Sequence, residues 1–449
     1  MTGVAIIVLA AGKGTRMKSA LPKVMHRAAG RSLLAHVLHA AAPLSPAEAV
    51  VVVGPEMETV AAEARSVFPQ ARLAVQADRL GTGHAVSMAR AEIEAFRGTV
   101  LVLYGDVPLI STGSLSRLVA LAGDGMAVLG FEAQDPHGYG RLIQDSEGHV
   151  IAIREELDAS PAERLIRLCN SGIIAIASDL LWQLLPQIGN ANAKGEYYLT
   201  DLVELAANAG AHCRLAHCPE AEVAGVNDRV QLAAIEAGLQ QAYRRRHMLN
   251  GATLTAPESV FFAADTVIGQ DVTIEPHVVF GPGVTVEDGV EILSFSHLEG
   301  AVIGQGARIG PYARLRPGAD IGAEAHIGNF VEVKKSVIGK GAKANHLTYI
   351  GDARVGAKTN IGAGTITCNY DGYEKHVTDI GANVFVGSNT ALVAPVKVGD
   401  GASIAAGTVV TRNVPADALA IARAELDLRE GWAARYREIK AAKKAARRK

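Results

Sequence analysis

At 449 residues the chain exceeds what one ordinary hydrophobic core organises, so two or three compact units are expected. A formal net charge of −2 supplies no global field toward nucleic acid or an anionic membrane, and 49% hydrophobic with 20% charged residues is globular composition. No apolar run approaches the ~18–20 residues that would span a bilayer. The four cysteines, Cys169, Cys213, Cys218 and Cys368, show neither a disulfide framework nor paired metal-ligand spacing, which points to a soluble protein of the reducing cytoplasm.

The first 227 residues alternate short apolar runs with amphipathic stretches. Val4–Leu9, Ala49–Val53, Val100–Leu103, Ala127–Phe131 and Gly172–Ile176 are nearly continuous in apolar character, as strands buried on both faces are. Helical patterns over Leu33–Ala42, Met57–Val67 and Gly83–Phe96 lie between them, which predicts an α/β unit with a mostly parallel, Rossmann-like sheet covered on both sides. Ligands then bind beyond the carboxyl ends of the strands. Residues 228–249 read as one long helix linking two domains, with Leu232, Ile235 and Leu239 at helical spacing.

From about residue 250 the period becomes six. Ile303, Ile309, Leu315, Ile321, Ile327 and Val333 recur every sixth position, and Ile380, Val386, Leu392, Val398, Ile404 and Val410 do so again. A hexapeptide repeat describes a parallel β-helix, here spanning a domain of residues 250–449. Residues 288–301 interrupt the period. The stretch 369–377 carries no sixth-residue aliphatic and is expected as an extruded loop, which a regular solenoid retains more often for function than by accident. Beyond Ala420, Leu426, Trp432, Tyr436 and Ile439 keep helical spacing, and residues 440–449 are expected as a disordered basic end with no assigned role.

Chemistry concentrates in two places. The first strand runs into Leu9-Ala10-Ala11-Gly12-Lys13-Gly14-Thr15-Arg16, followed by Pro22-Lys23: a glycine-rich turn with cations, but neither a Walker A loop nor a dinucleotide fingerprint. Backbone N–H groups at such a turn approach phosphate closely, and Lys13, Arg16 and Lys23 can neutralise a leaving pyrophosphate. Tyr104-Gly105-Asp106 also ends a strand, which places a candidate Mg²⁺ carboxylate on the same rim. In the repeat region, Arg314-Leu-Arg316, Lys334, His346 with Tyr349, and Asn360 with Ala363 are spaced by one or two coils and can stack along one edge.

The first set of segments resembles the sugar-nucleotide pyrophosphorylases over residues 4–228. Gln76, Leu80-Gly-Thr-Gly-His84, Gly138-Tyr-Gly-Arg141, Glu155, Asn170 and Gly225-Val-Asn227 bring it closest to N-acetylglucosamine-1-phosphate uridyltransferases. The resemblance implies Gln76, Gly81 and Thr82 at the uracil, and Gly140, Glu155 and Asn170 around the N-acetylated sugar. It also implies Asp106 and Asn227 at Mg²⁺. The second set, with Ile366-Thr-Cys-Asn369-Tyr370-Asp-Gly, resembles the glucosamine-1-phosphate acetyltransferase half of the same bifunctional family.

That resemblance implies a left-handed solenoid and a homotrimer. Arg316, Lys334, Tyr349 and Asn360 would hold the sugar phosphate, His346 would be the general base, and Ala363, Asn369, Tyr370, Ser388, Ala406 and Arg423 would meet acetyl-CoA. The small-molecule substrates implied are glucosamine-1-phosphate, acetyl-CoA, UTP and N-acetylglucosamine-1-phosphate, and the product would serve peptidoglycan and lipopolysaccharide synthesis. No nucleic-acid or membrane partner is expected.

Overall fold

The computed structural model describes residues 3–447. The outer ends of the expected domains and the last two residues of the basic tail lie outside the described residues. The chain forms two compact units, one running through Arg246 and including Phe262–Ala264, the other made of His247–Phe261 and the chain from Asp265 onward.

The first unit is built on nine strands: β1 (Gly3–Leu9), β2 (Glu48–Val53), β3 (Arg72–Val75), β4 (Gly98–Tyr104), β5 (Met126–Glu132), β6 (Arg141–Gln144), β7 (Val150–Arg154), β8 (Leu168–Ala177) and β9 (Cys213–His217). They lie in the order β3-β2-β1-β4-β8-β5-β9-β7-β6. Alternate residues of one strand feed opposite cores, as the pleat requires. Ile6 and Val8 join a cluster with Leu34, Leu38 and Leu101 on one face, while Ala5 and Ile7 join Val86, Val100 and Trp182 on the other. That double burial is why the strands read as unbroken apolar runs.

β1, β2, β3 and β4 are mutually parallel, whereas β8 enters antiparallel between β4 and β5, and β6 and β7 form an antiparallel hairpin near the far edge. β8 begins before its expected start and shifts register between Asn170 and Ile174. Gly172 sits in that irregularity at φ 86°, where a Cβ would come within 2.7 Å of the Tyr104 ring. Only glycine lets Tyr104 lie there. The helix expected over Gly83–Phe96 is two pieces, Thr82–Met88 and Arg90–Ile93. The long helix Arg229–Leu249 packs Ile235 and Leu239 against Met17, Ala28, Leu33 and Val226.

The second unit is a parallel β-helix of hexapeptide repeats. The residues at the six-residue period, from Ile303 to Val333 and from Ile380 to Val410, are buried on its axis. Paired inward residues lie eighteen or seventeen positions apart, as Ile303 with Ile321 and Ile321 with Ile338. The shorter interval arises where one hexapeptide loses a residue at a corner. The same device explains residues 288–301: Ile292 and Leu298 still point inward, and only the step to Ile303 is short.

The interval grows where Ile361 pairs with Val386, because residues 369–377 leave the coil as an exposed loop. At the C-terminus the helix Trp432–Ala446 continues through most of the stretch expected to be disordered. Four alanines and three lysines between residues 440 and 446 are good helix formers, and the lysines sit favourably at the negative end of the dipole.

Leu315 is fully buried on the axis, while Val302 is exposed on a strand. Leu315→Ala should lower stability by about 2–5 kcal/mol and Val302→Ala by no more than ~0.5 kcal/mol. Chemical denaturation followed by circular dichroism checks this; equal costs would contradict the inward register.

Candidate active sites

In the first unit the register Leu9 opposite Tyr104 leaves the carboxyl ends of β1 and β4 side by side. The chain departs from Leu9 into the glycine-rich turn and from Tyr104 into Gly105-Asp106, and the Gly105 N–H donates to Leu9 O at 3.0 Å. Gln76 joins the same rim by following β3, its N–H donating to Val53 O at 2.8 Å. These departures enclose a cavity of about 240 Å³ lined by Leu9, Ala10, Ala11, Gly12, Lys23, Gln76, Gly81, Thr82, Tyr104 and Asp106. Ten positions scattered over a hundred residues are thus gathered around one space.

Gly14 turns this loop at φ 62°, and a Cβ there would lie 2.5 Å from the Lys23 Cβ. The absence of a side chain lets Lys23 reach across the cleft. Its ammonium contacts Asp106 Oδ2 and lies 3.3 Å from Asn227 Oδ1, which also accepts from Arg16 Nη2 at 2.9 Å. Asp106 and Asn227 thus present two hard oxygens to the same ammonium, a donor set that also suits a divalent ion, which takes few protein ligands and completes its shell with water and phosphate.

Gln76 is buried and its amide N–H group donates to Gly81 O at 3.1 Å. Arg79, which the motifs did not single out, also lines the cavity and donates from Nε to Ala11 O at 2.8 Å, bracing the glycine-rich loop. Its only sequence signal was a cation immediately before Leu80-Gly-Thr.

Gly140, Glu155 and Asn170 do not line that cavity. Gly140 precedes β6, Glu155 follows β7, and the Asn170 N–H donates to Gly140 O at 2.8 Å. Tyr104 connects the two groups, since its buried hydroxyl reaches Thr82 and feels the Glu155 charge; burial raises its pKa far above the usual value. Glu155 lines a second cavity of about 390 Å³ with Asp158, Tyr198, Asp201 and Glu204. Burial holds the Glu155 carboxyl above its ordinary range, and burial with the neighbouring Glu204 and Glu155 charges pushes Asp201 up to about 6.

In the second unit two strands of nine residues, β10 (His326–Lys334) and β11 (Lys343–Gly351), run through a corner of the prism and pair Asn329 with His346 and Glu332 with Tyr349. The His346 Nδ1 lies 2.8 Å from Asn329 Oδ1, and both line a cavity of about 300 Å³. Above His346 the corner continues coil by coil. Gly364 N–H donates to Leu347 O, Asn389 N–H to Ala363 O, and Gly407 N–H to Ser388 O, at 3.0, 2.7 and 2.8 Å. Ala363, Ser388 and Ala406 therefore form a row on the His346 corner, and Arg423 closes it, its side chain beside Gly407.

The face after the corner carries the cations. Arg316 Nη1 donates to Glu332 Oε1 at 2.7 Å, and this carboxylate raises the Arg316 pKa further. Lys334 has its pKa lowered, chiefly by the ammonium of Lys375 packed beside it, then by desolvation and by Arg316. Lys375 gave no sequence signal because it sits in the 369–377 loop, outside any periodic register. Asp371 braces that loop by accepting from the Tyr373 and Glu374 N–H groups at 2.8 and 2.7 Å and by lying 2.8 Å from His376 Nε2. Asn369 is buried with this face: its Nδ2 donates to Asp352 Oδ2 at 2.6 Å and reaches Tyr349 Oη at 3.4 Å. Tyr370 is exposed on the loop, and Asn360 lies on the preceding face, level with Lys343.

The Asp201 proton is held more tightly folded than unfolded, so its stabilising contribution is complete below about pH 4 and is lost as pH rises toward 6. Asp201→Asn should flatten the stability of the first unit between pH 4 and 6 in denaturant melts; an unaltered slope would remove the raised carboxyl.

Residues 6–174 match the MobA-like NTP transferase domain, and residues 265–300, 300–335 and 378–412 match the bacterial transferase hexapeptide repeats. The bifunctional protein GlmU of Paramagnetospirillum magneticum is 56% identical over 98% of this chain and 98% of its own. That of Bradyrhizobium diazoefficiens is 57% identical over 97% of this chain and 96% of its own. A solved nucleoside-diphosphate-sugar pyrophosphorylase from Vibrio cholerae RC9 is 17% identical over 51% of this chain and 99% of its own, with a TM-score of 0.42. No described helix is long and apolar enough to cross a membrane. With a nucleotidyltransferase domain, hexapeptide repeats and relatives matched nearly end to end, the chain belongs to the bifunctional GlmU family.

Proposed function

We infer that the protein makes UDP-N-acetylglucosamine by two transfers at separate sites. An acetyl group passes from acetyl-CoA to glucosamine-1-phosphate on the β-helix. A uridylyl group then passes from UTP to N-acetylglucosamine-1-phosphate in the α/β unit, releasing pyrophosphate. The observation that carries this reading is one chain holding both a glycine-rich, cation-lined cleft and, on its β-helix, an imidazole held by Asn329 at a corner whose following face carries clustered cations.

In the cleft, the backbone of Leu9–Gly12 and Arg16 and Lys23 receive the triphosphate, and Gln76, Gly81 and Thr82 take the uracil. Tyr104 and Gly105 form the floor toward Gly140, Glu155 and Asn170, which meet the sugar. Asp106 and Asn227 would hold Mg²⁺, whose contribution is to neutralise charge on the phosphate oxygens. The sugar phosphate oxygen attacks the α-phosphorus and the bond to pyrophosphate breaks, with no covalent enzyme intermediate. Positioning and charge neutralisation by Lys23 and Arg16 supply the acceleration.

On the β-helix, Arg316, Lys334 and Tyr349 hold the sugar phosphate with Asn360, and Lys375 adds a further cation. An Nδ1–H donated to Asn329 leaves His346 Nε2 with its lone pair. That nitrogen takes the proton as the sugar amine attacks the thioester carbonyl and CoA departs. Ala363, Ser388 and Ala406 form a row of small residues along which acetyl-CoA can lie, with Arg423 at its end and Asn369 and Tyr370 beside it.

Hexapeptide β-helices and the separation of Asn360 from the other sugar-phosphate residues support a homotrimer in which neighbouring copies complete the site. Four unpaired cysteines suit a cytoplasmic enzyme.

His346→Ala should lower CoA release from glucosamine-1-phosphate and acetyl-CoA by at least ~10²-fold. Pyrophosphate release from UTP and N-acetylglucosamine-1-phosphate should persist. Asp106→Ala should do the reverse. Loss of both reactions in either folded variant would defeat the assignment to two sites.

A further inference from the structure

Arg141 is 1% exposed, the largest fully buried side chain among the described residues. A guanidinium keeps its charge at any working pH, so its burial demands compensation. Among the described residues, the only carboxylate in ion-pair contact with it is Glu156, at 2.6 Å. Neither residue has a role in substrate binding or catalysis in the proposed reactions, yet their chain neighbours do: Gly140 adjoins Arg141 and Glu155 adjoins Glu156.

The surrounding backbone shows what the pair holds. Strands β6 and β7 are an antiparallel hairpin whose last paired residues are Arg141 and Arg154. Gly140 and Glu155 come one step later, where the ladder has opened, and a Cβ on Gly140 would lie 3.3 Å from Glu155 Oε1. An open hairpin end frays unless side chains close it.

Arg141 and Glu156 supply that closure. Arg141 Nη1 donates to Tyr139 O, and Nη2 donates to Arg164 O at 3.3 Å. Arg141 first, and the Gly138 N–H to a lesser degree, hold the Glu156 carboxyl below the ordinary carboxylate range. One ion pair thus ties residues 138–139, 156 and 164 together around the two sugar-facing positions. The Asn170 N–H, donating to Gly140 O, brings the third into the same frame.

We propose that the ion pair between the buried Arg141 and the partly exposed Glu156 is a positioning clamp for the uridylyl acceptor, fixing Gly140 and Glu155 at the separation the N-acetylated sugar phosphate requires. This rests on the reading that Gly140, Glu155 and Asn170 meet that sugar. The clamp touches neither the nucleotide cleft nor the reacting atoms, so its effect is confined to one of the two substrates.

Kinetics on the full-length protein separate this role from general structural support. In Glu156→Gln, which keeps shape and removes the charge, KM for N-acetylglucosamine-1-phosphate should rise by about 10- to 100-fold, because small misplacements of orienting groups cost that much. KM for UTP should stay within about twofold, and Arg141→Lys should act in the same direction because an ammonium cannot span three acceptors.

Should Glu156→Gln fail to bind UTP, the double variant Arg141→Met with Glu156→Leu removes both charges of the pair, the buried guanidinium included, and is expected to refold. Its sugar-phosphate KM should remain raised. An unaltered sugar-phosphate KM in any of these folded variants, or an equal rise in both KM values, would overturn the clamp. Failure of the wild-type protein to release pyrophosphate from UTP and N-acetylglucosamine-1-phosphate would instead remove the assignment of the sugar site, and the clamp with it.

Discussion

Parallel backbone pairing in fixed register leaves equivalent positions of neighbouring strands flush, and both candidate sites depend on that. In the α/β unit, Leu9 lies opposite Tyr104, so a glycine-rich loop and an aspartate separated by some ninety residues leave the sheet at one rim. In the β-helix, Asn329 lies opposite His346, and Ile361, Val386 and Ile404 stack in successive coils. The residues two places beyond each of those last three, Ala363, Ser388 and Ala406, then stack as well. A slip of one residue in either ladder would turn alternate side chains to the opposite face and disperse the site. The continuous burial of the inward aliphatics prevents it.

On these frames the cations are arranged before any ligand arrives. Lys23 is held by Asp106 and Asn227, Arg316 by Glu332, and Arg141 by Glu156. The first two pairs are partly accessible, so an incoming phosphate can compete for the cation, and a weakly held partner is easily exchanged. In the third the guanidinium itself is buried while Glu156 stays partly exposed, and Arg141 lines neither cavity of this unit, which suits a permanent brace. Similar chemistry thus serves reception in one place and rigidity in another, and the accessibility of the cation decides which.

Much of this was legible in the sequence because its signals are local. A six-residue aliphatic period with glycine at the turns has no helical or globular reading. A glycine-rich turn after an apolar run, with Tyr104-Gly105-Asp106 after another, implied a common rim. What stayed hidden involves residues whose meaning depends on a distant partner. Arg79 became part of the cleft only because Ala11 O lies in reach of its Nε, and Lys375 joined Lys334 only because Asp371 braces the loop. The antiparallel entry of β8 was equally unreadable, since a strand buried on both faces looks the same whichever way it runs.

By itself, then, the sequence determined the two architectures, the periodic core and most of the residue types that carry chemistry, because hydrophobic spacing and backbone stereochemistry act over a few residues. The tertiary structure alone decided which of those residues meet. It separated Gly140, Glu155 and Asn170 from the nucleotide cavity, turned Asn369 toward Tyr349 and Asp352, set Asn360 on a different face from Lys334, and buried Arg141 against Glu156. The physical reason is that such contacts are fixed by ladder register and by the need to compensate a buried charge, and both depend on residues far apart along the chain.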